Sequence, residues 1–335
     1  MPTQQLPDYD DLPTRAGLRC AWNVWAPDGG DRFGCLNLLT PERALAATRL
    51  VTRGAVFPLN WTMALPDPPL FGRGGFTHTV TGREGSVSHD DVLDGWNTQS
   101  SSQWDGFRHI LHPALRDDEP GTGHFGGVDD GDHGIDHWAR RGIVTRGVLA
   151  DVGRWREARG DPIRYDEPDA VMPDELRACL ADQGTEVGEG DVLLIRFGWI
   201  AWYLTTDADK RAWLGDRETF RSAGLHPGED TWRMLWNMHI AALGCDNPGV
   251  EIWPRGSHLE PDVAAEATAD MRRAHEVFAH TVLLPMLGLP LGEMFFLDDL
   301  ADDCAADGTY EFMFTSAPLN LPNGVASPPN ALAIK

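Results

Sequence analysis

Basic residues are scarce: 28 Lys and Arg stand against 51 Asp and Glu in 335 residues, a formal net charge of −23. Nucleic acids and anionic membranes both recruit positive surfaces, so neither is expected as a partner. Cysteine is sparse too. Cys20, Cys35, Cys179, Cys245 and Cys304 are odd in number, scattered and without a CxxC pair. That argues against a disulfide framework or a thiolate zinc site and fits a reducing cytoplasm. The first residues, Met-Pro-Thr-Gln-Gln-Leu-Pro-Asp, lack the basic and apolar regions of a signal peptide. No apolar run approaches the length of a membrane span, and a soluble cytoplasmic protein is expected. No GxGxxG or P-loop follows any expected strand. No GxSxG elbow exists to activate Ser100–Ser102, which disfavours a serine hydrolase. With no internal repeat and no low-complexity linker, the chain reads as one domain over 1–335, with an irregular arm (1–39) and a loop-like tail (318–335).

What is present alternates between helix and strand. In the arm, Trp22 and Trp25 are expected to anchor onto the body. Thr40-Pro41-Glu42 starts a helix, with Thr as N-cap, Pro in the first position and Glu in the first turn. Strands are expected at Ala55–Leu59, Val144–Val152, Asp191–Phe197, Ile240–Cys245, Glu293–Leu297 and Tyr310–Thr315, with hairpin segments near Phe76–Val80. Asp191–Phe197 is almost continuously apolar, as a strand covered on both faces should be. Helices are expected at Pro173–Gln183, at Glu229–His239 and, as one long element, over Asp262–Leu287. The fold class is therefore α/β or α+β.

Chemistry concentrates in Gln99–His109 (Gln-Ser-Ser-Ser-Gln-Trp-Asp-Gly-Phe-Arg-His). This run shows neither helical nor strand period, and aromatics among its polar groups suggest a loop folded inward to line a pocket. Elsewhere, Gly121–Gly134 holds His124, His133 and the acids Asp129, Asp130 and Asp132. A calcium loop counted from Asp129 would need Glu at its twelfth position, where Arg140 stands. His275, Glu276 and His280 superficially resemble HExxH. Five residues of helix place the two imidazoles about 140° apart, so both cannot hold one metal from a regular helix. The turn Gly244–Glu251 follows an expected strand and is either a site at a strand end or a turn held by Asp246 and Asn247.

These residues resemble the cyclase superfamily, which includes bacterial kynurenine formamidase and isatin hydrolase. Asp31–Thr40, Gly142–Val152, Gly190–Trp199, Gly244–Glu251 and His280–Leu300 carry the likeness, which runs over nearly the whole chain. The resemblance implies a swivelling β/β/α-type fold with a mixed sheet backed by helices, and a homodimer or homotetramer. The family signature HxGTHxDxPxH has two histidines and an Asp that hold a divalent metal, and a final His that acts as acid/base. Laid on this chain, the Asp is Asp105 and the last His is His109. Gln99 and Gln103 stand where the metal histidines would be, Ser101-Ser102 replaces Gly-Thr, and Phe107 replaces Pro. A further family pair, a His and a Glu about twelve residues apart, matches His280 and Glu293.

A neutral amide oxygen is a poor substitute for imidazole as a transition-metal ligand. The expectation is therefore no tightly held metal; otherwise Asp105, His280 and Glu293 hold zinc, manganese or magnesium. His109 can move a proton near neutrality, Asp105 can orient it, and Gln99 and Gln103 can donate to a developing oxyanion. Trp104, Phe107, Ser102 and His124 are expected to contact a small-molecule substrate. These groups imply a hydrolase of a cyclic or aryl amide or a lactone. A lyase or cyclase working without water, or a non-catalytic ligand-binding relative, is the alternative.

Overall fold

The computed structural model describes residues 6–335 apart from 28, 83, 84, 86, 119–122 and 129–131. The tip of the aspartate loop, with Gly121, Asp129 and Asp130, lies outside the described residues. Nine strands form one mixed sheet: β1 (Val56–Pro58), β2 (Gln103–Asp105), β3 (Ile143–Asp151), β4 (Val192–Arg196), β5 (Ala242–Cys245), β6 (Leu291–Glu293), β7 (Glu311–Ser316), β8 (Ala326–Ser327) and β9 (Ala331–Ile334). Their order across the sheet is β8-β2-β6-β5-β4-β3-β7-β9-β1. The central four, β6-β5-β4-β3, run parallel, and the strands to either side are antiparallel. Val192, Leu193, Leu194 and Ile195 are fully buried, which is why β4 has no polar alternation.

Helix α1 (Pro41–Ala47) begins as its sequence dictates: Thr40 Oγ1 accepts a hydrogen bond from Arg43 N. It packs on β3. Helices α2 (Pro173–Asp182) and α3 (Glu229–Asn237) lie where their patterns place them. The hairpin Thr77–Thr81/Asp90–Asp94 stands apart from the main sheet. Trp22 is buried with its indole N–H on the Pro285 carbonyl, and Trp25 packs on Trp236. Buried side chains from Tyr9 to Ala333 form one large core, joined by a smaller cluster around Trp61, Trp199 and Tyr203.

Four expectations need correction. The segment expected as one helix over Asp262–Leu287 is three elements: α4 (Pro261–Ala269), a 3-10 stretch (Met271–Glu276) and α5 (His280–Leu283). Asp270 breaks it, with an extended backbone and a side chain that accepts from Arg272 N. The tail beyond Pro318 is not all loop, since β8 and β9 extend the sheet at two places. The strand expected at Glu293–Leu297 ends at Glu293, where Met294 turns to φ +51°. Finally, Gln99–His109 is not a pure loop. Its residues 103–105 are strand β2, paired with β6 and β8.

Candidate active site

Alternation along β2 sorts the central residues into two faces. Gln103 and Asp105 point one way, both fully buried, and Trp104 points the other. Trp104 stacks edge-on against Phe295 and Phe314 and donates its indole N–H to Ser316 Oγ. Gly292, opposite it on β6, makes room: a Cβ there would lie 2.9 Å from Trp104 and 2.5 Å from Phe295. Trp104 is therefore core, not a substrate contact. Phe107 is core as well, packed on Phe125, Trp138 and His133. His124 is buried with Nδ1 on the Phe107 carbonyl, and Ser102 bonds Trp61 N and the Met294 carbonyl. All four are structural, because packing or backbone bonding spends the groups expected to meet substrate.

The other face holds the charged cluster. Register sets Gln103 directly opposite Glu293, and its Nε2 donates to Glu293 Oε2 at 2.6 Å. Weaker contacts at 3.4 Å reach both oxygens of Asp105. Gln99 Nε2 lies 2.7 Å from Asp105 Oδ1 and 3.1 Å from His109 Nδ1. Its two hydrogens are thereby taken, and Gln103 is directed at carboxylates, so neither amide serves a substrate oxyanion as expected. An amide oxygen facing Asp105 would be repelled, which fixes the Gln99 orientation and makes His109 Nδ1 an acceptor. His109 Nε2 faces Asp105 Oδ2 at 3.9 Å.

Glu251, from the turn after β5, completes the cluster. Its oxygens lie 3.0 and 3.1 Å from His280 Nδ1, while His280 Nε2 is 3.1 Å from Glu293 and 3.8 Å from Asp105. The sequence left that turn open between two roles, and it has both. Asp246 accepts from the backbone N–H of Phe197, Gly198 and Trp199, and Asn247 donates to the carbonyls of Ala223 and Val250, whereas Glu251 enters the site. Val250 and Met294, each adjacent to a site carboxylate, are held at φ +59° and +51°. Such conformations are strained for residues other than glycine.

Titration follows this geometry. Burial alone would raise Asp105, but the charges of His109, His280 and Arg73 outweigh it and hold the carboxyl at about 2. Burial and the neighbouring Asp105 push Glu293 up. His280 is raised well above the usual histidine value: burial opposes the charge, but Glu251, Asp105 and Glu293 dominate. His109 moves down, because burial outweighs the pull of Asp105.

Asp105, His280 and Glu293 each offer one donor atom, all within 4.8 Å of one another. Two carboxylates and an imidazole fit a divalent ion, and the Glu251 contact at Nδ1 would orient the ring as a histidine ligand requires. The amide hydrogens of Gln99 and Gln103 compete for the same carboxylate oxygens, which lowers the affinity such a set would otherwise have. Gln103 Oε1 is buried without a partner among the described residues.

Above the cluster opens a cavity of about 250 Å³. Gln99, His109, His280 and Glu293 form its floor; Phe71, Trp253 and Phe278 wall it; Arg73, Arg217 and Arg255 ring it. A second cavity of about 280 Å³ shares His109, Ile110, Arg255 and Phe278 with it. The larger cavity of about 440 Å³ beside Tyr9, Trp232 and His226 has no lining residue in common with either.

The family model for Cyclase, described as "Putative cyclase", matches residues 59–252. The chain belongs to the Cyclase family. Among solved structures, a crystal structure of a novel cyclase is 27% identical to it with a TM-score of 0.73, covering 94% of this chain and 99% of that one. Isatin hydrolase A from Ralstonia solanacearum gives 17% and 0.55, covering 89% and 98%. Isatin hydrolase A from Labrenzia aggregata gives 18% and 0.51, covering 83% and 93%. These last two show likeness of fold. No curated protein matches significantly. Among the described residues, no helix is long and apolar enough to cross a membrane.

Glu251, which contacts His280, and Arg73, Arg217 and Arg255, which line the cavity, were not singled out by sequence reasoning. Glu251 was within reach, since its turn was flagged. The arginines sit in irregular segments where no period or spacing marks them.

Proposed function

We propose that the protein is a hydrolase that opens a cyclic or aryl amide, or a lactone, by acid/base catalysis at His109, with weak or no metal dependence. One observation carries this reading: amide hydrogens of Gln99 and Gln103 meet Asp105 and Glu293 beside a cavity-facing His109. They and His280 supply the positive groups that a cation would otherwise supply to these carboxylates. Solved relatives of the same fold include isatin hydrolases, one bound to benzyl benzoate and one to the product analogue thioisatinate. Aromatic ligands of that kind suit the Phe71, Trp253 and Phe278 walls.

In this mechanism, His109 Nδ1 takes the proton of a water in the cavity. Gln99 gives up its bond to Nδ1 and keeps its bond to Asp105. The water oxygen adds to the substrate carbonyl carbon, and the oxyanion that forms faces Arg73. The imidazolium is stabilised by Asp105, 3.9 Å away, and returns the proton to the leaving nitrogen or oxygen as the C–N or C–O bond breaks. A divalent ion held by Asp105, His280 and Glu293 would supply carbonyl polarisation or a more acidic water.

The test is turnover of a panel of lactones, cyclic imides and formanilides in ¹⁸O water, with His109→Ala as control. The reading expects one ¹⁸O per product in the new carboxyl group and loss of turnover in the variant. A product formed without ¹⁸O would replace hydrolysis by elimination or cyclisation.

A further inference from the structure

In an acidic protein, most arginines find acids. Arg146 pairs with Asp191 and Glu311, Arg196 with Asp151 and Asp298, and Arg156 with Asp161 and Asp169. The two at the outer ring of the active-site cavity do not. Among the described residues, neither Arg217 nor Arg255 forms a hydrogen bond or an ion pair. Instead, the Arg255 guanidinium carbon lies over aromatic rings, 3.5 Å from the Phe278 centroid and 5.1 Å from that of Trp253. These cation–π contacts hold the guanidinium at the cavity while its N–H groups have no acceptor among the described residues. Glu251, whose field reaches Arg255, is engaged by His280.

Two like charges beside one cavity repel each other unless an anion joins them. Among the described residues, no carboxylate forms an ion pair with either of them. A guanidinium fork matches a carboxylate bidentately. The intervening walls are flat and aromatic, and about 250 Å³ admits a single-ring molecule. The acidic floor at Glu293 and Asp105 would repel an anion placed there. A carboxylate is therefore directed to the arginine end and an uncharged carbonyl to the His109 end.

We infer that the substrate is a small aryl carboxylate whose carboxylate is held by Arg217 and Arg255 while a second, uncharged acyl group faces His109. This deepens the hydrolase reading and rests on it only for the second acyl group. Carboxylate capture can be read without turnover.

The probes are benzoate and its neutral isostere benzamide, each titrated calorimetrically into the whole protein. Benzoate is expected to bind about tenfold or more tightly than benzamide, weakening as salt rises. Arg217→Gln and Arg255→Gln should each erode the preference and together abolish it, while Arg255→Lys keeps part of it. Arg217 is exposed, so its replacement tests the inference even where Arg255→Gln disturbs the fold. Calorimetry reads capture of the carboxylate without turnover, which separates failure of the hydrolase reading from failure of this one. Equal binding of the two probes, no binding of either, or a preference that survives Arg217→Gln in a folded protein would overturn the inference.

Discussion

Gln103 and Glu293 face each other across the antiparallel pair of β2 and β6, with the amide nitrogen 2.6 Å from the carboxylate oxygen. The bond sits in the fully buried interior of the sheet, beside a second carboxylate, Asp105. With Gln99, Gln103 aims amide hydrogens at the carboxylates of a cluster whose Asp105, His280 and Glu293 donor atoms lie within 4.8 Å of one another. Replacing both glutamines by histidine should therefore change what the cluster holds. The Gln99→His/Gln103→His variant is expected to retain about one equivalent of zinc per chain by elemental mass spectrometry, where the parent holds much less. Equal metal content in the two proteins would show that the amides do not control the site.

Glu251 and His280 form a buried ion pair, with both side chains almost wholly inaccessible. Removing one charge strands the other. Glu251→Leu should cost about 3–5 kcal/mol in urea unfolding. Glu251→Gln, which keeps a hydrogen-bond acceptor for Nδ1, should cost less.

Two histidines away from the site set an acid limit on stability. Burial pushes His112 and His133 each down to about 4, and both are buried in the fold. The unfolded chain takes up protons near the ordinary value of about 6.5, whereas the folded chain does so only near 4. Stability is thus complete above pH 6.5 and falls as pH drops to 4, by roughly 3 kcal/mol at most for each histidine. Thermal midpoints should fall over that window. His112, whose ring nitrogens have no hydrogen-bond partner among the described residues and whose ring stacks on His275, offers the check: His112→Phe should flatten the decline.

Much of the fold is legible in the sequence because its signals are local. Thr40 caps α1, the unbroken apolar run of β4 reports burial on both faces, and α2 begins at Pro173. The polar run Gln99–His109 stood out by residue type, whereas the roles expected of Asp105, His109, His280 and Glu293 came from the family likeness; the structure brings these four side chains together. A three-residue strand is too short to show a period, and so β2 read as loop. Its alternation sends Trp104 into the core and Asp105 into the site. The break at Asp270 is likewise a single side chain's doing. The arginine ring depends on three loops meeting in space, which no sequence pattern records.

His109→Ala should lower turnover about 10²–10⁴-fold, with unchanged circular dichroism and thermal midpoint, because its side chain borders the cavity and is not part of the core. A loss of stability comparable to that of Glu251→Leu would instead make it a structural residue.

The most direct measurement compares hydrolysis of one aryl amide or lactone substrate before and after exhaustive chelation, in the parent protein and in His109→Ala. The account predicts that the parent's rate is largely retained without metal and that the variant's is lost with or without it. A chelated parent that is inactive and regains full rate on addition of zinc or manganese would contradict it.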